Sequence, residues 1–288
     1  MRAGEWCPLV GGAAPGRYGG SVSTTDPALG DLPADSDLTD VELAAELVKA
    51  AGRLAAQMRS DGLTVDQKTS ISDVVSDADK AAEALIVERL AVARPADGII
   101  GEEGSAAPGR RTWVIDPVDG TFNFVSGLPA WCSALALLDG EELLLGAIFQ
   151  FTTDELWIGG RDHPASLNGV RLPALTDQPL AEVAISTYLH PTRVGDTPLR
   201  EGVLRSIAGA ASVRIIGSGS VELAAVAAGR LGVWLHADTP SWDWYPGAAI
   251  VLAAGGVIDV VEHGGHSWYL AGPPTGVAQA RAAVLGAG

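Results

Sequence analysis

Cysteine is nearly absent from this 288-residue chain, which carries only Cys7 and Cys132. Two thiols exclude a disulfide framework and fit a reducing compartment, so a cytoplasmic location is expected. Positive charge is also scarce. Nineteen Lys and Arg stand against 35 Asp and Glu, a net charge of −16. That balance argues against DNA or RNA as a partner, because nucleic acid needs clustered cations to displace its counterions. It favours cations instead. No apolar run reaches the ~20 residues of a membrane span, since Gly, Asp, Glu or Arg breaks each one first. Five histidines are scattered, and His263 and His266 sit in a Gly-rich turn with no third ligand beside them, so no zinc site is expected. What the chain has in quantity is apolar residues, 47% of the total, enough to exclude global disorder and to build a large core.

Residues 1–36 hold Gly, Pro, Ala and Ser without apolar periodicity and read as a flexible extension, with no signal-peptide pattern. Order is expected from Asp37–Thr39, an N-cap followed by Val41, Leu43, Leu47, Val48, Ala51 and Leu54 at helical spacing. A polar segment, Lys68 to Ser76, precedes a second helix that ends at Arg94–Pro95. Short apolar runs then follow between turn residues (GIIGEEG, TWVIDPVDG, CSALALLDG, LLLGAIFQF, ELWIGG), the pattern of a sheet. From about residue 180, strands and helices alternate as far as VIDVV. The expected class is α/β (α+β): a half at 37–175 with a mostly antiparallel sheet, and a smaller α/β half at 176–288, together one compact unit.

The acids of the middle region fall at strand ends. Glu102 and Glu103 follow GIIG, Asp116 ends the run TWVID, and Asp119 comes three residues later. Pro117 breaks the strand and Gly120 permits a tight turn, so the two aspartates can converge while the Val118 carbonyl leaves the ladder. Converging carboxylates repel, and a hard divalent cation relieves the repulsion: Mg²⁺, or Mn²⁺ as a possible substitute. A polar turn without metal is the alternative for Asp-Pro-x-Asp-Gly taken alone. The residues after the turn, TFNF, read as a helix start whose free N–H groups and Thr121 hydroxyl suit an anion. Asp243 lies in SWDWYPG at another helix start, where alone it would pass as an N-cap.

These residues resemble the inositol monophosphatase family of Mg²⁺-dependent, lithium-sensitive phosphomonoesterases. GEE at 101–103, WVIDPVDGTFNF at 113–124 and WDxxxG at 242–247 are similar to its three motifs in order and spacing. The resemblance implies a layered αβαβα sandwich of the sugar-phosphatase type. It implies that Glu102, Asp116 and the Val118 carbonyl hold a first metal and that Asp116, Asp119 and Asp243 hold a second. Glu102 and Asp79, the latter in DVVSDAD, would contribute to a weaker third site. Gly120 and Thr121 would bind phosphate, Thr121 and Glu102 would orient the attacking water, and Glu103 would support them from behind. The implied reaction is hydrolysis of a small phosphorylated substrate, inositol monophosphate first, by metal-activated water with no covalent intermediate. A homodimer is implied by the same likeness.

Several positions depart from the family pattern. His236 stands where many inositol phosphatases carry a glutamate that binds sugar hydroxyls; it either bonds a hydroxyl, or favours a second anionic group when charged, or simply ends a strand. Trp244, Tyr245 and Pro246 either narrow the pocket or pack against the sheet. The opening helix and LHA look similar to actinobacterial relatives that hydrolyse 3′-phosphoadenosine 5′-phosphate, whereas Phe122–Asn123–Phe124 is closer to the inositol and sugar phosphatase pattern. Fructose 1,6-bisphosphate and histidinol phosphate are further candidate substrates. GSGSVE at 217–222 lacks the third glycine of a dinucleotide fingerprint, and Glu222 in its place would repel a pyrophosphate. Ser218 and Ser220 are instead expected near substrate, and Asn168–Gly169 at a hairpin turn. A non-catalytic sugar-binding or scaffold protein is the alternative of another class, disfavoured because such a protein has no use for converging acids.

Overall fold

The computed structural model describes residues 35–70 and 73–287. Residues 1–34 of the expected extension, with Cys7, lie outside the described residues, as do 71–72 of the polar segment. The described residues open with a 3₁₀ turn, Asp35–Asp37, whose first residue pairs with Arg89 at 2.6 Å. Helix α1 (Asp40–Asp61) then opens on a capping box. The Glu42 N–H donates to the Thr39 hydroxyl oxygen, and the Thr39 N–H donates to the Glu42 carboxylate.

The polar segment forms a hairpin of β1 (Val65–Ser70) and β2 (Asp73–Ser76) before α2 (Asp77–Ala93). Next come β3 (Gly98–Gly101), β4 (Ala106–Ala107), β5 (Arg111–Asp119) and the short helix α3 (Thr121–Val125). Strands β6 (Cys132–Asp139), β7 (Glu142–Gln150), β8 (Glu155–Gly160), β9 (His163–Leu167) and β10 (Val170–Arg171) continue as a meander. They make a sheet in the order β10-β9-β8-β7-β6-β5-β3-β4, antiparallel except where β3 runs parallel to β5. Asn168 and Gly169 both have positive φ, 49° and 76°, as a two-residue hairpin turn requires.

The second part contains β11 (Ala184–Thr187), α4 (Thr197–Ala208), β12 (Ser212–Arg214), α5 (Gly219–Ala227), β13 (Val233–Ala237), α6 (Ser241–Ala253), β14 (Val257–His263), β15 (His266–Gly272) and α7 (Pro274–Leu285). Its sheet runs β12-β11-β13-β15-β14, parallel at β12-β11-β13 and antiparallel beyond. The run SVRIIG is a strand only over its first three residues.

Three apolar clusters stack these elements into five layers. Leu43, Leu47 and Val48 of α1 and Ile86 of α2 pack on Ile115, Leu135 and Phe149 of the first sheet. The opposite face of that sheet, through Ala134, Ile148 and Trp157, packs on Leu223 of α5 and Ala248 and Ile250 of α6. The same cluster reaches Trp234 and Ala271 of the second sheet. That sheet's outer face, through Ile185, Leu235 and Leu270, covers Leu199 and Val203 of α4 and Val277 of α7. The order αβαβα agrees with the expected sandwich. Each interface removes apolar surface at about 25 cal/mol per Å². Helix α6 approaches the first sheet closely enough that a Cβ on Gly146 would lie 2.0 Å from the Pro246 carbonyl oxygen.

Among the described residues, no helix is long and apolar enough to cross a membrane.

Candidate metal centre and phosphate site

The ends of elements from different layers meet at one point. β5 brings Asp116 and Asp119, and α6 brings Asp243 in its first turn. Carboxylate oxygens of the three lie within 4.8 Å of one another. The strand is interrupted between them: the β5–β6 register is regular up to Asp116↔Ala134 and resumes at Asp119↔Cys132. Pro117 has no N–H to place in the ladder, and its carbonyl is taken by the Ser133 hydroxyl at 2.6 Å. The bulge turns Asp116 and Asp119 toward the same side, as the Asp-Pro-x-Asp-Gly spacing leads one to expect. Gly120 comes next with φ 89°, a left-handed conformation open to glycine at little cost.

Asp116 and Asp119 are buried and Asp243 is half-buried. Burial pushes the Asp116 carboxyl well above the ordinary carboxylate range, and the charges of Glu102, Asp119 and Asp243 push the same way. Asp243 is raised by burial and then by Asp119 and Glu102. Asp119 is raised by burial but partly relieved by the backbone of α5: Gly219 N–H donates to its Oδ1 at 3.2 Å and Ser220 N–H to its Oδ2. Asp116 Oδ1 is buried with no hydrogen-bond partner among the described residues. An orphaned carboxylate oxygen facing two other acids is costly unless a cation completes it. Carboxylate oxygens gathered this closely are the hard donors that a divalent cation takes. The donor set fits the metal.

Glu102 sits at the end of β3, beside Asp116, with its N–H on the Ile115 carbonyl at 3.1 Å. It stands outside the tight trio and acts on it through its charge. The Val118 carbonyl accepts the Thr121 hydroxyl at 3.0 Å, and the same hydroxyl lies 3.0 Å from Asp79 Oδ1. Asp79 is fully buried at the start of α2, where its Oδ2 also accepts the Ser76 N–H at 2.9 Å. Thr121 and Asp79, far apart in sequence, therefore form one hydrogen-bonded unit at the bulge. Glu103 lies in the turn after Glu102, and its N–H donates to Glu83 at 2.8 Å.

Ser218 and Ser220 stand at the start of α5, beside Asp119. Both side chains are buried; the Ser218 hydroxyl lies 3.9 Å from Cys132 Sγ, and Ser220 serves Asp119 through its backbone. His236 lines a cavity of about 210 Å³ that also takes in Asp243. Trp244, Tyr245 and Pro246 pack inward: Trp244 stacks on Trp234 with centroids 5.5 Å apart, and Tyr245 touches the cluster of Val114, Ala136 and Leu138.

Three residues that no motif singles out as site residues hold the site together. Glu83 holds the turn that presents Glu102. Asn123 donates to the carbonyls of Ala130 and Ile216, both at 2.8 Å, tying α3 to the loop before α5. Glu222 accepts the N–H groups of Ile216 and Gly217 from the same loop. The carboxylate that would obstruct a pyrophosphate is thus the loop's anchor. Glu222 follows a Gly-rich turn and Asn123 lies within the 113–124 motif, whereas Glu83 offers no comparable signal.

Comparison with known proteins agrees with this geometry. The family model described as "Inositol monophosphatase family" matches residues 37–284. Inositol-1-monophosphatase of Rhizobium meliloti is 36% identical over 198 residues, 67% of this chain and 74% of that protein. Fructose-1,6-bisphosphatase/inositol-1-monophosphatase of Thermotoga maritima is 32% identical over 194 residues, with the same two coverages. The crystal structure of the extragenic suppressor protein SuhB from Bartonella henselae superposes with a TM-score of 0.75 at 27% identity, over 83% of this chain and 95% of that one. With the acids of all three motifs gathered at one end of a layered αβαβα fold, the chain belongs to the inositol monophosphatase family.

Proposed function

We propose that the chain is a Mg²⁺-dependent phosphatase that hydrolyses a small phosphomonoester, with inositol monophosphate as the leading substrate. The observation that carries the reading is the buried trio Asp116, Asp119 and Asp243 with its orphaned Asp116 oxygen, one turn from Gly120–Thr121. Glu102, Asp116 and the Val118 carbonyl are the residues to hold a first ion, and Asp116, Asp119 and Asp243 a second. Glu102 and Asp79 would form a weaker third site, and Mn²⁺ would serve in place of Mg²⁺. Bound there, the ions would offset the carboxylate charge, polarise the phosphate oxygens and acidify water.

The chain's own residues supply the rest. The Thr121 hydroxyl directs its proton to Asp79 or to the Val118 carbonyl, leaving its lone pairs to orient a water hydrogen. Glu102 flanks the same point. Gly120 lets the backbone turn so that the first N–H groups of α3 are open to a phosphate oxygen. No side-chain nucleophile is required, and the one thiol nearby, Cys132, is buried with its pKa pushed far up by burial and by Asp119. In this reading the 37–175 half holds metal and phosphate and the 176–288 half meets the remainder of the ester. A cytoplasmic homodimer is the form we propose, supported by the low cysteine count and by family likeness.

The test is a phosphate-release screen with Mg²⁺ over inositol 1-phosphate, 3′-phosphoadenosine 5′-phosphate, fructose 1,6-bisphosphate and histidinol phosphate, with lithium as a control. Mg²⁺-dependent release that is greatest from inositol 1-phosphate and falls with lithium is expected. A chain that releases no phosphate from any of the four contradicts the reading.

A further inference from the structure

Glu222 lies on α5, fully buried, outside the trio of acids at the metal centre. Its Oε1 accepts the backbone N–H of Ile216 at 2.9 Å and of Gly217 at 3.1 Å. Its Oε2 accepts the Trp234 indole N–H at 3.0 Å and faces His236 Nε2 at 3.1 Å. Three of these four partners are groups that can only donate. A carboxylate surrounded in this way offers lone pairs and nothing else, so His236 Nε2 must carry a proton. In the neutral ring, Nδ1 is then an acceptor. The ring has little freedom to turn away, because it stacks on Trp234 with centroids 4.0 Å apart and planes 15° from parallel. Nδ1 has no protein partner among the described residues, and His236 lines the 210 Å³ cavity.

The charges around that cavity narrow what it receives. Arg193 is its guanidinium, and it is engaged by Asp238. His190 turns its Nδ1 to Thr192. His236 and Glu222 together carry no net positive charge whichever protonation state the histidine takes. A second phosphate entering here would find the Arg193 guanidinium already paired with Asp238. A hydroxyl would find the acceptor on His236, which lines the cavity.

We infer that Glu222 sets how this cavity reads its ligand. By holding the His236 proton on Nε2, it leaves Nδ1 as an acceptor for a hydroxyl hydrogen. The cavity therefore takes the neutral polyol part of a phosphomonoester and disfavours a second phosphate. The inference rests on the phosphatase reading above and deepens it to a substrate class. Glu222 is a positioning residue, acting through His236.

Two measurements on the full-length protein test it. Long-range ¹H–¹⁵N spectra of the labelled chain, with His236→Gln to identify the signals, report the tautomer without substrate or metal. Protonated Nε2 with unprotonated Nδ1 is expected; a ring protonated at Nδ1, or at both nitrogens, overturns the inference. With Mg²⁺, Glu222→Gln places an amide N–H against one pair of donors and disturbs the tautomer. It should raise KM for inositol 1-phosphate about tenfold, the effect of one hydrogen bond, while KM for p-nitrophenyl phosphate, which has no hydroxyls, stays within about twofold. Wild-type kcat/KM should favour inositol 1-phosphate over fructose 1,6-bisphosphate. Equal KM changes for both monoesters, or preference for the bisphosphate, overturns the inference. If Glu222→Gln does not fold, His236→Ala gives the same KM comparison. If no ester is hydrolysed, the phosphatase reading fails, and the spectra still decide the His236 geometry on their own.

Discussion

The buried carboxylate of Glu83 on α2 accepts the Glu103 N–H at 2.8 Å, and its other oxygen accepts the Ser105 N–H at 3.0 Å. The turn that carries Glu102 is therefore pinned from the opposite helix. Gly101 has no side chain because a Cβ there would lie 2.5 Å from the Glu83 carboxyl carbon. Glu83→Ala leaves two N–H groups without their acceptor and should cost about 1–3 kcal/mol in stability. It should also weaken Mg²⁺ binding roughly 10–100-fold, the usual effect of losing a support behind a metal ligand. Glu83→Gln keeps one acceptor oxygen and should fall between. Thermal unfolding and Mg²⁺ titration calorimetry check both effects; a stable Glu83→Ala with unchanged Mg²⁺ affinity would show that the turn holds Glu102 without it.

Thr121→Val preserves the shape of the side chain and removes the hydroxyl shared by Asp79 and the Val118 carbonyl. A group that orients water or moves a proton contributes about 10²–10⁴-fold to the rate. Steady-state phosphate release should show kcat falling by at least the lower figure with KM little changed. A rise in KM alone would make Thr121 a binding group only.

Stability should depend on pH with an unusual sign when no divalent ion is present. The folded-state pKa values of Asp116, Asp119 and Asp243 are raised, whereas the unfolded chain titrates near the ordinary value of about 3.9. Above about pH 4 the folded state therefore binds more protons than the unfolded state, and their contribution to stability falls as pH rises toward the raised values. Mg²⁺ replaces those protons. In chelator, Tm should decline over this window by more than it does for Asp116→Asn, and saturating Mg²⁺ should flatten the decline. Scanning fluorimetry across pH, with and without Mg²⁺, measures it; parallel curves for the two proteins would contradict the electrostatic picture.

The sequence makes some of this legible because the physics is local. Thr39 and Glu42 announce a capping box three residues apart, and Asp116-Pro-Val-Asp119-Gly120 contains its own strand break, turn and acids. The β1–β2 hairpin is not legible, because VDQKTS and DVVS lack the alternation that marks a half-buried strand. The hairpin partner of β14 and the final helix α7 escape notice where the Gly-rich turn after His263 interrupts the pattern. Glu83 and Glu222 look like polar residues on helices; their roles come from partners 20 and 14 residues away in sequence, Glu103 and His236. Whether Trp244, Tyr245 and Pro246 face the pocket or the core depends on how α6 sits against the first sheet, which no local pattern encodes.

The central claim is that Asp116, Asp119 and Asp243 form a buried divalent-metal centre. Isothermal titration of Mg²⁺ into metal-free protein, in two buffers of different ionisation enthalpy, addresses it most directly. Wild type is expected to bind with release of protons, and Asp116→Asn, folded and no less stable than wild type in chelator, to lose that binding together with phosphate release. A wild-type chain that takes up no Mg²⁺ at millimolar concentration, or a folded Asp116→Asn that binds and turns over as wild type does, would contradict it.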